Sequence, residues 1–225
     1  MTSRRPADER AWAMPSTARN ILLLVPPLAL AVLAAIHPRP DEEAQAVMDV
    51  ATWFATFHVV QLVLVGLVAI TVFLLADEFG VAGAWSTRLG MGVFLIFFSA
   101  YDAVAGIATG LAMRAARDLS AAEQLVVYET VKDWPGLDAR VFALSIVGTA
   151  GWVVALVGVA LAARRAGAGR AEWLFILLAG MFLLGGHPFP FGTVALGCLF
   201  IAAFLHLRST RKVVGAPSAA AQESS

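Results

Sequence analysis

An aspartate and four histidines stand in or beside long apolar stretches, where water is scarce. His37 closes the first stretch, His58 lies inside the second, Asp102 inside the third, and His187 and His206 near the ends of the last two. A charged carboxylate at the centre of a membrane helix costs roughly 2.5–3.5 kcal/mol on insertion scales, so such a group faces protein or a water-filled cavity. Ser99, Asp102, Gly106 and Thr109 follow 3-4-3 spacing, which aligns them on one helix face, with Tyr101 beside the carboxylate. Phe54, His58, Gln61 and Val65 share a face of the preceding stretch. The two stretches run in opposite directions, and counting at the helical rise places His58 and Asp102 at comparable depths. The expected site is therefore a polar intramembrane pocket of His58, Gln61, Tyr101 and Asp102. Its chemistry would be to bind a small ligand, an ion or a proton.

A second chemistry is open to the same residues. Imidazole is the commonest metal ligand and titrates near neutral pH. His37, His58, Asp102 and His187 from four helices could bind a metal such as zinc, and two of the histidines could ligate a haem. Neither cofactor has a diagnostic signature here: there is no HExxH and no CxxCH. A third reading gives these residues only interhelical hydrogen bonds and makes the chain a structural or accessory subunit. Whether any reaction is catalysed stays open. His206, beside Arg208, reads as an interfacial residue. Cys198 is the only cysteine, which excludes an intrachain disulfide and a cysteine cluster and leaves a small packing residue.

The elements that must position these groups follow from composition. Of 225 residues, 60% are hydrophobic and 14% charged, against about 45–50% and about 25% in soluble domains. Such a chain needs a nonaqueous solvent, and the lipid bilayer is its first partner. Six apolar runs are legible, at 20–36, 50–76, 89–113, 140–163, 173–186 and 189–207. Backbone polar groups in lipid must be paired within their own segment, so each run is expected to be a helix. The expected fold is an all-α polytopic bundle over 20–207, with tails at 1–19 and 208–225. Run five is short for a crossing of about 20 residues. Runs five and six as a re-entrant hairpin, leaving four full crossings, are the alternative.

Lys and Arg set the orientation. With a cytoplasmic N-terminus, eleven of the sixteen Lys and Arg residues fall in inner segments and five in outer ones. Six crossings then place both termini in the cytoplasm. The basic start of the chain also resembles a signal peptide, but Pro26 and Pro27 interrupt its apolar run and favour an uncleaved span. Those prolines should kink or break the helix and free carbonyls near Leu22 and Leu23. Gly106 and Gly110 form a GxxxG pair suited to close helix approach. In the longest loop, Ser120 and Glu123 read as a capping box that starts a short outer helix. Its hydrophobic residues would lie on the membrane or on the helix ends, and Trp134-Pro135-Gly136 would end it. Asp41, Glu42, Glu43 and Asp49 read as a solvated outer loop.

Net charge is zero, which gives no nucleic-acid signal. Arg outnumbers Lys 14 to 2, a bias that points to a GC-rich bacterial gene and hence to the inner cell membrane. Copies of the chain could associate as a homo-oligomer. The first run ending in Ile36-His37-Pro38, the histidine in the second run and the short fifth–sixth hairpin together resemble small multi-span bacterial membrane proteins of unknown function. That resemblance covers most of the chain at the level of hydropathy and implies no activity.

Overall fold

A computed structural model describes residues 14–37, 44–132, 139–182 and 190–214. Asp41, Glu42, Glu43, Trp134-Pro135-Gly136, His187 and most of both tails lie outside the described residues. Among the described residues the chain is helical and has no strand: α1 (Ser16–Ala35), α2 (Ala44–Glu78), α3 (Val81–Asp102), a π-helical segment (Ala103–Ala108), α4 (Thr109–Ala115), α5 (Ala121–Lys132), α6 (Ala139–Arg165), α7 (Arg170–Phe182) and α8 (Phe191–Val214). Five described segments are long and apolar enough to cross a membrane: Ser16–Ala35, Met48–Glu78, Trp85–Ala115, Arg140–Arg165 and Phe191–Thr210. The third is continuous through α3, the π segment and α4. The described part of the short fifth run, α7, has 13 residues, or about 20 Å at the helical rise.

The large helices neighbour one another in a closed ring: α1 on α2, α2 on α3, α3 on α6, α6 on α7, α7 on α8, and α8 back on α1. Apolar side chains fill the middle, including Leu23, Val68, Met91, Trp152, Leu156 and Leu199. Lipid tails are as apolar as these residues, so shape and contact hold the ring together more than transfer from water does. The outward faces carry exposed Val25, Val63, Trp85, Leu89 and Ile96, as a lipid-facing surface should.

Tight turns keep successive helices antiparallel. Gly80 joins α2 to α3 at φ 87°, and Gly167 ends α6 at φ 80°, a conformation glycine adopts without a Cβ penalty. At Gly167 the bonds Ala168 N–H to Ala163 O (3.0 Å) and Gly167 N–H to Arg164 O (3.2 Å) form a Schellman cap. The ends of α1, α2, α6, α7 and α8 that carry Arg19, Glu78, Arg165, Arg170 and Arg208 thus gather at one end of the bundle, called here the arginine end.

Helix α1 runs through Pro26 and Pro27 without a break, and both are buried. Proline at 26 has no N–H to give the carbonyl of Leu22. The Thr71 hydroxyl of α2 donates to that oxygen instead, at 2.5 Å. The freed carbonyl read from the sequence exists, and it serves helix packing.

Helix α5 begins as expected. Ser120 N–H and Ser120 Oγ–H both donate to Glu123 Oε2, at 2.9 and 2.6 Å. The helix packs on α4 and α2, where Val131 joins Met48, Ala51, Met113 and Ala116 in a second small core. Arg117 clamps the same corner by donating to Met48 O at 2.8 Å. The bonds from the Ser120 hydroxyl and then its backbone N–H hold the Glu123 carboxyl below the usual carboxylate range. A depressed carboxyl contributes its stabilisation above the ordinary range and loses it as pH falls through the lowered value. Acidification should therefore fray the first turn of α5 before the bundle responds. Amide-exchange protection of Ser120 and Gln124, whose N–H groups bond Glu123 Oε2 and Ser120 O, should drop in acid while that of α6 holds; equal loss in both would contradict the cap.

Candidate functional site

At the end opposite the arginines, α1, α2 and α3 bring four of the anticipated polar residues together. His58 and Gln61 of α2 are each 3% exposed, and Asp102 of α3 is 1% exposed. The Gln61 side-chain amide donates to Asp102 Oδ1 at 2.9 Å. His58 Nε2 lies 3.9 Å from the same oxygen, too long for a hydrogen bond. His58 Nδ1 is 2.7 Å from Phe54 O. A carbonyl only accepts, so Nδ1 carries the hydrogen, and in the neutral ring Nε2 presents its lone pair toward Asp102. The other carboxylate oxygen, Asp102 Oδ2, is buried with no hydrogen-bond partner.

An aromatic wall surrounds the histidines. The His37 ring meets His58 edge-on at 5.3 Å between centroids and Phe57 at 4.9 Å. Phe54 lies 4.4 Å and Phe57 5.2 Å from His58. Trp53 packs on Phe57 at 5.9 Å and is itself exposed, as an interfacial tryptophan would be. Tyr101 is half-buried, with its ring 6.5 Å from that of Phe98.

The helix that carries Asp102 changes form at this point. From Ala103 to Ala108 it widens into a π turn. Such turns occur mostly as short insertions in α-helices and are frequent at functional sites. Thr109 Oγ1 donates to Val104 O at 3.1 Å, which supports the widened turn. Gly106 then faces the His58 ring so closely that a Cβ there would collide with Cγ and Cδ2. A Cβ on Gly110 would lie 2.8 Å from the backbone N of Ala55. Both glycines of the GxxxG pair thus let α2 approach, and the first makes room for the imidazole. Beneath the cluster is a cavity of ≈ 30 Å³ lined by Gln61, Leu30, Ala34, Val65, Phe94 and Trp152, among others. That is space for a water or two.

Of the residues proposed as metal ligands, His37 meets His58 and His58 lies 3.9 Å from Asp102, while His187 lies outside the described residues. Among the described residues no group of three His, Cys, Asp or Glu side chains is arranged to hold a metal ion.

A second polar cluster at the arginine end is not apparent from local sequence. His206 is 5% exposed and Glu172 is 3% exposed, so His206 is a buried residue and not merely an interfacial one. His206 Nδ1 lies 2.8 Å from Glu172 Oε1, and Nε2 lies 3.7 Å from Glu78 Oε2. Arg19 pairs with Glu78 Oε1. The available signal was topological: alternating spans place Arg19, Glu78, Glu172 and His206 at one membrane surface, though not in contact. No family model, curated protein or solved structure matches this chain.

Proposed function

We propose that this is a multi-pass membrane protein whose histidine-end site binds a small cation, with a proton as the ligand best suited to the geometry. The observation that carries the reading is the buried Asp102 carboxylate. One oxygen accepts from Gln61 at 2.9 Å, and the other has no hydrogen-bond partner. The basic group facing it is the Nε2 lone pair of His58, 3.9 Å from Oδ1. An ionised Asp102 beside a neutral His58 leaves a negative charge in a medium that penalises it heavily. One proton, on Nε2 or on the carboxyl, removes that penalty. A larger ligand would need more room than a 30 Å³ cavity offers.

In this reading the chain crosses the inner membrane of a bacterial cell six times, with both termini cytoplasmic. The Lys and Arg distribution supports that topology, as does the gathering of helix ends with Arg19, Arg165, Arg170 and Arg208. The site then opens toward the outer face, and transport would move the bound proton or ion inward from there.

The Gln61–Asp102 bond also favours a plainer reading, in which α2 and α3 are merely joined and the chain is an accessory subunit. Infrared difference spectra of the protein in lipid nanodiscs separate the two. Between about pH 5.5 and about pH 8.5, a range that brackets the imidazole transition, the wild type should gain or lose a protonated-carboxyl or imidazolium band. Asp102→Asn should remove the part of that change that belongs to this site and keep only bands from histidines outside it. Proteoliposomes loaded with a pH dye should show a proton flux that Asp102→Asn removes. Identical spectra for wild type and Asp102→Asn would refute the binding site and leave the joint.

A further inference from the structure

We infer that His206 is a second proton-binding site, at the arginine end, where an added proton bridges α2 to α7 through α8. This site shares no residue with the one built around Asp102, and its case does not depend on that reading.

The geometry is specific. His206 Nδ1 sits 2.8 Å from Glu172 Oε1. A carboxylate accepts, so Nδ1 carries a hydrogen and donates it. Nε2 is buried with no hydrogen-bond partner, and Glu78 Oε2 stands 3.7 Å from it. In a neutral ring that gap separates two lone pairs, which repel. A proton on Nε2 turns the same pair into a donor facing an acceptor. Closing the gap to a charge-assisted bond of about 2.8 Å requires a shift of only about 1 Å. The proton comes from water in the adjoining cleft of ≈ 340 Å³, lined by Glu78, Glu172, His206, Ser209 and Thr210 and by the 166–169 turn.

The charges that face the ring favour this occupant. Arg19 from α1 is paired with Glu78 Oε1, Glu78 comes from α2 and Glu172 from α7. With a neutral imidazole these three sum to one negative charge, and protonation brings the group to zero. On α8 itself, Ser209 and Thr210 spend their hydroxyls on the His206 carbonyl, and Arg208 turns away over the Phe204 ring. Phe79 closes the remaining side, edge-on at 5.1 Å. The bridge is therefore made when Nε2 takes up a proton and released when it loses it. Release separates Glu78 from the α7–α8 pair and frees the mouth of the cleft.

The test uses the full chain in detergent with 15N-labelled histidine. His206→Gln assigns the His206 resonances. At about pH 5.5 the wild type should show a hydrogen-bonded, slowly exchanging Nε2–H on His206 that disappears by about pH 8.5. Glu78→Leu keeps the Glu172 pair and so should fold, and it removes every side-chain acceptor at 78, retaining Nδ1–H and losing the slow Nε2–H. The wild-type melting temperature should fall by about 2–4 °C relative to Glu78→Leu across the same interval, the equivalent of one lost bond. Absence of a slow Nε2–H in acid, or its persistence in Glu78→Leu, would overturn the bridge.

Discussion

Gly151→Leu should cost about 3 kcal/mol or more, the upper end of what overpacking does, and should lower the melting temperature by at least about 6 °C. Gly151 of α6 and Gly90 of α3 face each other where the two helices cross. A Cβ on Gly151 would lie 2.6 Å from Gly90 O and 2.7 Å from Phe94 N. A Cβ on Gly90 would lie 2.6 Å from Gly151 O and 2.7 Å from Ala155 N. The obstacles on both sides are backbone, which cannot swing aside as a side chain can. Any side chain must therefore push the helices apart. Separation would also loosen the stack of Phe94 on Phe98 (4.9 Å) and the contact of Phe94 with Trp152 (5.1 Å). Trp152 donates to Ala179 O at 2.9 Å, so the disturbance would reach α7. Lipid offers no compensating gain, because it does not drive helices together as water would. Thermal unfolding in detergent gives the answer: a variant that melts within a degree of wild type would show that α3 and α6 do not cross here.

Gln61→Leu should be the most damaging conservative-volume change at the histidine end. It removes the donor to Asp102 Oδ1 and leaves both carboxylate oxygens buried without a hydrogen bond. An unsatisfied buried group costs about 1–3 kcal/mol, and more when charged. Replacing both partners with apolar groups can be nearly neutral. The double variant Gln61→Leu/Asp102→Leu should therefore regain most of the stability lost by Gln61→Leu alone. It should not regain the pH-dependent infrared band. Stability and titration are thereby pulled apart, which a purely structural joint could not do. If Gln61→Leu melts like wild type, Asp102 has other donors and the charge argument fails.

Much of this arrangement was legible in the residues. Hydropathy marks the apolar helices because lipid imposes one rule on every segment. Helical spacing and depth put His58 and Asp102 at one level, with Gln61 on the face of His58; the Gln61–Asp102 bond itself is read from the structure. Ser120 and Glu123 announced their cap locally, and the proline pair announced a homeless carbonyl. Other features depend on which helix lies beside which, and apolar sequence says little about that. Leu and Val serve lipid and protein interiors alike. Glu172 and His206 are 34 positions apart, and only the return of α8 onto α7 makes them partners. The π turn has no signature either. Ala103-Val-Ala-Gly-Ile-Ala108 would make an ordinary helix by propensity, and its widening goes with the fit of Gly106 against His58 and of Gly110 against Ala55.

That widened turn fixes the rotational phase of everything after it. A π turn holds one residue more than the α turn it replaces, so excising a single residue between 103 and 108 would let an uninterrupted α-helix form. The side chains after it would keep their facing, because the α turn left behind covers the same rotation with one residue fewer. Gly110 would still meet Ala55, and Met113 would stay beside Met48. The same one-codon deletion in the regular α-helix just before the π turn has no spare residue to absorb it, and would swing each side chain beyond it by about 100° relative to the preceding helix.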